Sequence, residues 1–276
     1  MTLYPDKTIR PRVGLALSGG AARGMAHVGV LRALEENAIP IDAIAGASAG
    51  ALVGGCYAAG LSIKDLEAMA RKFRWRHISR FSFSRLGLQS NQRLAKFLRN
   101  TLPVTRFEEL RIPFAAMATD LKTGTVVVMR DKGDLTLALR ASNCLPAFYA
   151  PVPDGEGRLL VDGGLVANLP ISYTRDLGAD IVIAVDLSAD GAKFIDRPRT
   201  ALGVLALVFV AVERVVSNQE TAQADLVIVP KVGPIRWDQT RRVDELMQIG
   251  YAAALESIDQ IKDLIEQKTL ALNSAA

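Results

Sequence analysis

The sequence predicts an α/β fold: three layers, α/β/α, around a mainly parallel central sheet. Three observations carry this expectation. The chain opens on a strand–loop–helix–strand unit over residues 13–47. Two later runs, Ile181 to Val185 and Leu226 to Val229, are short and rich in Ile and Val, as strands buried on both faces are. Helical patterns follow them, Ala201 to Thr221 and Val243 to Gln267, so strands and helices alternate along the chain.

The elements follow in order. Val13 to Leu17 is an apolar strand ending in Ser18-Gly19-Gly20-Ala21-Ala22-Arg23-Gly24. A helical pattern runs from Ala22 to Asn37, and Pro40 closes the unit. Asp42 to Ala47 is the next strand, and it leads through Ser48 into a helix of Ala, Gly and Leu. Helical segments continue to Leu102, interrupted by a basic, aromatic stretch. Phe114 to Ala118 and Thr125 to Met129 read as strands joined through Lys122-Thr123-Gly124, a hairpin-like pair. Leu135 to Ala141 is helical, and Leu159 to Val161 is a short strand running into Asp162-Gly163-Gly164. With no internal repeat, this organisation implies an N-terminal extension (residues 1–11), a single domain (12–270) and a frayed tail (271–276).

Composition narrows the classes. The chain has 276 residues, 50% hydrophobic and 22% charged, enough for a sizeable core. A net charge of +4 is too small to argue for nucleic acid, and none is expected as a partner. Two cysteines, Cys56 and Cys144, read as buried free thiols rather than as a disulfide framework or a metal site. The N-terminus lacks the apolar core of a signal peptide. The longest uninterrupted apolar run, Ala201 to Val212, falls short of the roughly 20 residues that span a bilayer. A cytoplasmic protein that touches membranes only at its surface is the expectation.

Gly46-Ala47-Ser48-Ala49-Gly50 is the segment richest in chemistry. Between a strand and a helix, this spacing puts Ser48 on a sharp turn with an exposed hydroxyl, a candidate nucleophile. Gly46 and Gly50 keep the turn free of side chains. The plainer alternative is a helix-capping serine in a tight turn. A nucleophilic serine needs a base, and the chain has two histidines, His27 and His77. Neither lies in a loop at a strand end beyond Ser48, so surface or packing roles suit both. A carboxylate is the remaining candidate. Asp162 follows an apolar strand and precedes Gly163 and Gly164, which allow positive φ and close approach. Burial would raise its pKa towards a base's working range. The alternative is an ordinary Asp-Gly turn.

The loop Gly19-Gly20-Ala21 enters a helix, where backbone amides can converge on an anion. A dinucleotide-binding turn with Asp42 as the ribose acid is the competing reading. Ala21 in place of the third glycine and the presence of Ser48 count against it.

Together, SGGAARG with the helix MAHVGVLRALEE, GASAG, ATDLKTG, LRASNCLPAFYAPV and VDGGLVANLP resemble the bacterial patatin-like phospholipase family, in its order, over about residues 12–187. The resemblance implies a patatin-like domain and acyl-ester hydrolysis of phospholipids or other lipid esters by a Ser48–Asp162 dyad, with no metal or cofactor. It implies an oxyanion hole at Gly19, Gly20 and Ala21, supported by Arg23, Gly24, Gly46, Gly50, Gly163 and Gly164. Arg23 matches the family's basic residue, either as a salt bridge holding the loop or as an attractor of an anionic head group. Ala21 departs from the family's third glycine. A weakened hole there would leave a lipid-binding or regulatory relative. The segment Arg71 to Arg85 interleaves basic residues with Trp75, Phe81 and Phe83. It fits contact with anionic lipid, single-stranded nucleic acid stacking or an ordinary exposed segment. The helix from Ala201 fits a core helix, an acyl-chain wall, a membrane-touching helix or a dimer face.

Overall fold

The computed structural model describes residues 10–74, 80–81, 86–190 and 197–275. Strand β1 (Val13–Leu17) enters a 3-10 turn (Ala21–Met25) and helix α1 (Ala26–Glu36). Strand β2 (Ala43–Ala47) passes directly into α2 (Ser48–Ala58), followed by α3 (Ile63–Lys72). Two short strands, β3 (Arg80–Phe81) and β4 (Gln89–Ser90), form a separate antiparallel pair before α4 (Gln92–Thr101). Next come β5 (Phe114–Asp120), β6 (Val126–Met129), α5 (Leu135–Ser142), β7 (Val152–Pro153), β8 (Leu159–Asp162) and α6 (Ile171–Asp176). The chain finishes with β9 (Ile181–Val185), α7 (Ala201–Thr221), β10 (Leu226–Ile228), α8 (Val243–Leu255) and α9 (Ile258–Ala275).

The main sheet has the order β10-β9-β1-β2-β5-β8-β7, with β6 also paired to β5. Its five strands from β10 to β5 are mutually parallel, and β6, β7 and β8 add an antiparallel edge. β1, β2, β5 and β9 are buried along their whole length, which is why they read as continuous apolar runs. The expected hairpin is β5–β6, with Ala118 opposite Val127. α1 and α8 cross backbone on backbone: a Cβ on Gly29 would strike the Met247 carbonyl, and one on Gly250 the Ala26 carbonyl.

The structure departs from the sequence reading in two places. The helix expected over Val243–Gln267 breaks at Glu256 and Ser257 into α8 and α9. α9 then runs on to Ala275, through the segment expected to fray. α7 covers Ala201–Thr221, the span the sequence predicts, and is long and apolar enough by composition to cross a membrane. One face of it packs on the domain through Ala206, Phe209, Val210 and Glu213, while Val204, Leu205, Val208 and Val215 stay exposed.

Candidate active site

The carboxyl ends of β1, β2 and β8 converge on one cavity of about 230 Å³. The β2–α2 turn holds Ser48 at φ 50, the left-handed region that costs an L-residue of order 1–3 kcal/mol. The turn has room for this because a Cβ on Gly46 would lie 2.6 Å from the Ala51 nitrogen, and one on Gly50 would strike the Leu17 carbonyl. Two neighbours fix the serine backbone. Its amide donates to Ser142 Oγ at 2.9 Å, and its carbonyl accepts from Asn143 Nδ2 at 2.9 Å. The N-terminus of α2 points at the hydroxyl, a field that favours negative charge.

Ser48 Oγ donates to Asp162 Oδ2 at 2.7 Å. The other oxygen, Oδ1, accepts from the Gly164 amide at 2.9 Å. Asp162 is anchored along its backbone as well. Its amide donates to the Cys144 carbonyl and its carbonyl accepts from Thr119 Oγ1. Burial pushes the Asp162 carboxyl up to about 7; the bonds from Gly164 and Ser48 pull the other way but do not cancel it. Gly163 and Gly164 serve by close approach, without positive φ. A Cβ on Gly163 would strike the Met117 carbonyl, and one on Gly164 would lie 2.6 Å from Glu213 Oε1.

The glycine loop divides its amides. Gly19 donates to Asn168 Oδ1 at 3.1 Å, so this amide of the expected anion site is already engaged within the protein. Asn168 is held in turn by Ser217 Oγ at 2.8 Å. The Gly20 and Ala21 amides donate to no acceptor among the described residues, and both residues line the cavity with Ser48. Ala21 does adopt the left-handed region, φ 52, where the family has glycine. Gly24 brings the loop onto α2, since a Cβ there would strike that of Ala49.

Arg23 is 3% exposed. It forms no ion pair with any described residue, contrary to the expected salt bridge. Its Nε makes a long contact to the Gly20 carbonyl, 3.4 Å, and its Nη1 has no partner. Burial lowers it to about 10, which leaves it charged at neutral pH. Near it stands Glu213 of α7, 8% exposed, which sequence reasoning missed. Burial holds its carboxyl well above the usual carboxylate range; Asp162 adds to the effect and Arg23 opposes it. An acid directly after the apolar run Ala201 to Val212 was the available signal.

His27 lies outside the cavity wall, buried, with Nε2 donating to the Ser18 carbonyl at 2.8 Å; burial lowers it to about 4. No histidine among the described residues lines the site. His77, Trp75 and Phe83 lie outside the described residues, as does the Phe81 side chain. The Phe81 backbone pairs with Gln89, which lines the cavity. Asp42 precedes β2, at the end of the sheet opposite Ser48. There it takes a bidentate contact from Arg10 and the Val13 amide. A ribose-binding acid belongs at the carboxyl ends of such strands, so the dinucleotide reading fails on position.

Phe209 of α7, Leu52, Val53, Met25 and Phe73 give the cavity a largely apolar wall, and Phe148 meets Trp237 edge to face at 5.9 Å. The patatin-like phospholipase family model matches residues 15–175. An uncharacterized NTE family protein of Mycobacterium tuberculosis is 40% identical over 185 residues, 66% of this chain and 51% of that protein. A lysophospholipase NTE1 of Pyricularia oryzae is 27% identical over 281 residues, 91% of this chain and 19% of that protein. A patatin-like phospholipase domain-containing protein of Caenorhabditis elegans is 36% identical over 184 residues, 64% and 14%. The chain thus spans about half the length of the mycobacterial relative and less of the others, and the likeness is not confined to bacteria. Among solved structures, VipD of Legionella pneumophila superposes with a TM-score of 0.55 at 14% identity, over 93% of this chain and 67% of that one. Human GIVD cytosolic phospholipase A2 gives 0.51 at 12% identity, over 98% and 60%. Both likenesses bear on the fold alone. With the family model covering more than half of its length, the chain belongs to the patatin-like phospholipases.

Proposed function

We propose that the protein is a serine lipid acyl hydrolase of the phospholipase A, lysophospholipase or carboxylesterase kind, acting through a Ser48–Asp162 dyad. The observation that carries this reading is the 2.7 Å hydrogen bond from a strained serine hydroxyl to a buried carboxyl raised to about 7. Ionised Asp162 takes the Ser48 proton as Oγ attacks the ester carbonyl. The Gly20 and Ala21 amides and the N-terminus of α2 stabilise the oxyanion. Asp162 returns the proton to the leaving alkoxide, which departs as alcohol and leaves an acyl-Ser48 ester. A water then gives its proton to Asp162 and attacks the acyl carbon. The fatty acid leaves and the proton returns to Ser48. The apolar wall from Leu52 to Phe209 accommodates the chain. The relatives named as lysophospholipases support the substrate class.

The lipid surface meets the rim of the cavity in this reading. Val204, Leu205 and Val208 on the outer face of α7, with Arg197 and Arg199 just before it, offer apolar and cationic contacts to an anionic interface. Hydrolysis of a short p-nitrophenyl ester by the purified protein tests the activity; full turnover by Ser48→Ala would overturn it. A second reading, a lipid-binding relative with weakened turnover, draws on the left-handed Ala21.

A further inference from the structure

We propose that Arg23 and Glu213 form a second polar subsite of the cavity, which binds a free hydroxyl on the alcohol moiety of the ester substrate. The proposal deepens the acyl-hydrolase reading and rests on it.

Both side chains line the cavity, and both are more than nine-tenths buried. Neither is satisfied within the protein. Arg23 Nη1 has no acceptor, and the Glu213 carboxyl makes no hydrogen bond or ion pair with a described residue. The two influence each other electrostatically without forming an ion pair. Two amide side chains of the same wall are paired: Asn91 with Arg140, and Asn143 with Ser48 and Leu139. Buried polar groups left without partners are costly, and a cavity made only to hold hydrocarbon has no use for them.

Their position ties them to the reacting centre. Glu213 Oε1 would lie 2.6 Å from a Cβ on Gly164 and 2.9 Å from one on Gly19. The same point on Gly19 is 3.3 Å from the Ser48 Cβ. The carboxyl is therefore wedged between the glycine loop and the aspartate loop, about one side chain's breadth from the nucleophile. A group bound there sits close to the scissile ester, on the alcohol side if the acyl chain takes the apolar wall.

The chemistry of the pair selects the group. Arg23 only donates hydrogen bonds, whereas the Glu213 carboxyl accepts them in either protonation state. A phosphate would place negative charge against the Glu213 lone pairs and Asp162. An ammonium group would meet the Arg23 guanidinium. A hydroxyl accepts from Arg23 and donates to Glu213, completing both. Glyceryl monoesters with an unesterified hydroxyl beside the acyl oxygen carry such a group.

The test compares kcat/KM for a monoacyl glyceryl ester with that of its deoxy analogue, which lacks only the neighbouring hydroxyl. The wild type should favour the hydroxyl ester by about tenfold, the return of one good hydrogen bond. Glu213→Gln, which also accepts, should keep the ratio within about threefold, while Glu213→Leu and Arg23→Gln should bring it towards unity. A wild-type ratio near one, or a wild-type ratio retained in both Glu213→Leu and Arg23→Gln, would overturn the subsite. If Glu213→Leu does not fold by circular dichroism, the wild-type ratio and Arg23→Gln still decide. Hydrolysis of both esters at equal rates counts against the subsite alone; hydrolysis of neither, nor of a p-nitrophenyl ester, counts against the acyl-hydrolase reading itself.

Discussion

Ser48 Oγ donates to one oxygen of Asp162 while the Gly164 amide holds the other, at 2.7 and 2.9 Å. The carboxyl is thus oriented from both sides and cannot rotate away from the serine. Ser48→Ala should reduce esterase activity to background. Asp162→Asn keeps the shape and removes the proposed base, and should lower kcat by about 100- to 10,000-fold. Both follow from initial rates on a soluble ester, with circular dichroism to show that the fold is retained.

The raised Asp162 carboxyl sets a pH profile. The base works when ionised, so kcat/KM should rise with pH through a midpoint of about 7. Stability runs the other way. A carboxyl with a folded pKa above its unfolded value binds more protons in the native state. Stability is therefore fully present below the unfolded value near 3.8 and falls as pH rises towards 7. Glu213, raised by burial beside it, adds to the same trend. Asp162→Asn should then raise Tm by several degrees at pH 8 and by less at pH 5, as thermal melts at the two values would show. An unchanged Tm difference would contradict the shift.

Ala21 already holds φ 52, the left-handed region that glycine adopts freely. Ala21→Gly should change kcat by less than about threefold, because the amide is already aimed and only a Cβ is removed. A rise of 100-fold or more, the worth of one oxyanion donor, would show instead that the alanine compromises the site.

The Ser48 amide has Ser142 Oγ as its acceptor, so Ser142→Ala leaves that donor unpaired in the turn. A loss of about 1–3 kcal/mol in stability is expected from chemical denaturation, with a fall in kcat at unchanged KM.

Membrane contact through α7 predicts that replacing Val204, Leu205 and Val208 with Ser weakens sedimentation with anionic liposomes several-fold. Hydrolysis of a short soluble ester should be unaffected. Equal sedimentation would place the contact elsewhere.

The strands and the two loops at their carboxyl ends were legible because their causes are local. Val13–Leu17 and Ile181–Val185 are apolar throughout because each is buried on both faces. Ser48 and Asp162 were legible because a turn and a close approach demand glycines next to them in sequence. The left-handed backbone at Ala21 was not legible, since alanine carries no signal for it. Nor was the break between α8 and α9, where neither Glu256 nor Ser257 is a strong helix breaker.

By itself, the sequence determined the α/β class, the opening strand–loop–helix–strand unit, the family resemblance and the pairing of an elbow serine with a loop aspartate. Tertiary structure decided which groups share the cavity. Ser142 and Asn143 come from α5 and the turn after it, Asn168 from the segment after β8, and Glu213 from α7, 165 positions beyond Ser48. It also raised the Asp162 and Glu213 carboxyls, because that rise comes from burial. Burial is a property of the packed molecule, set by elements far apart in the chain, and no local pattern encodes it.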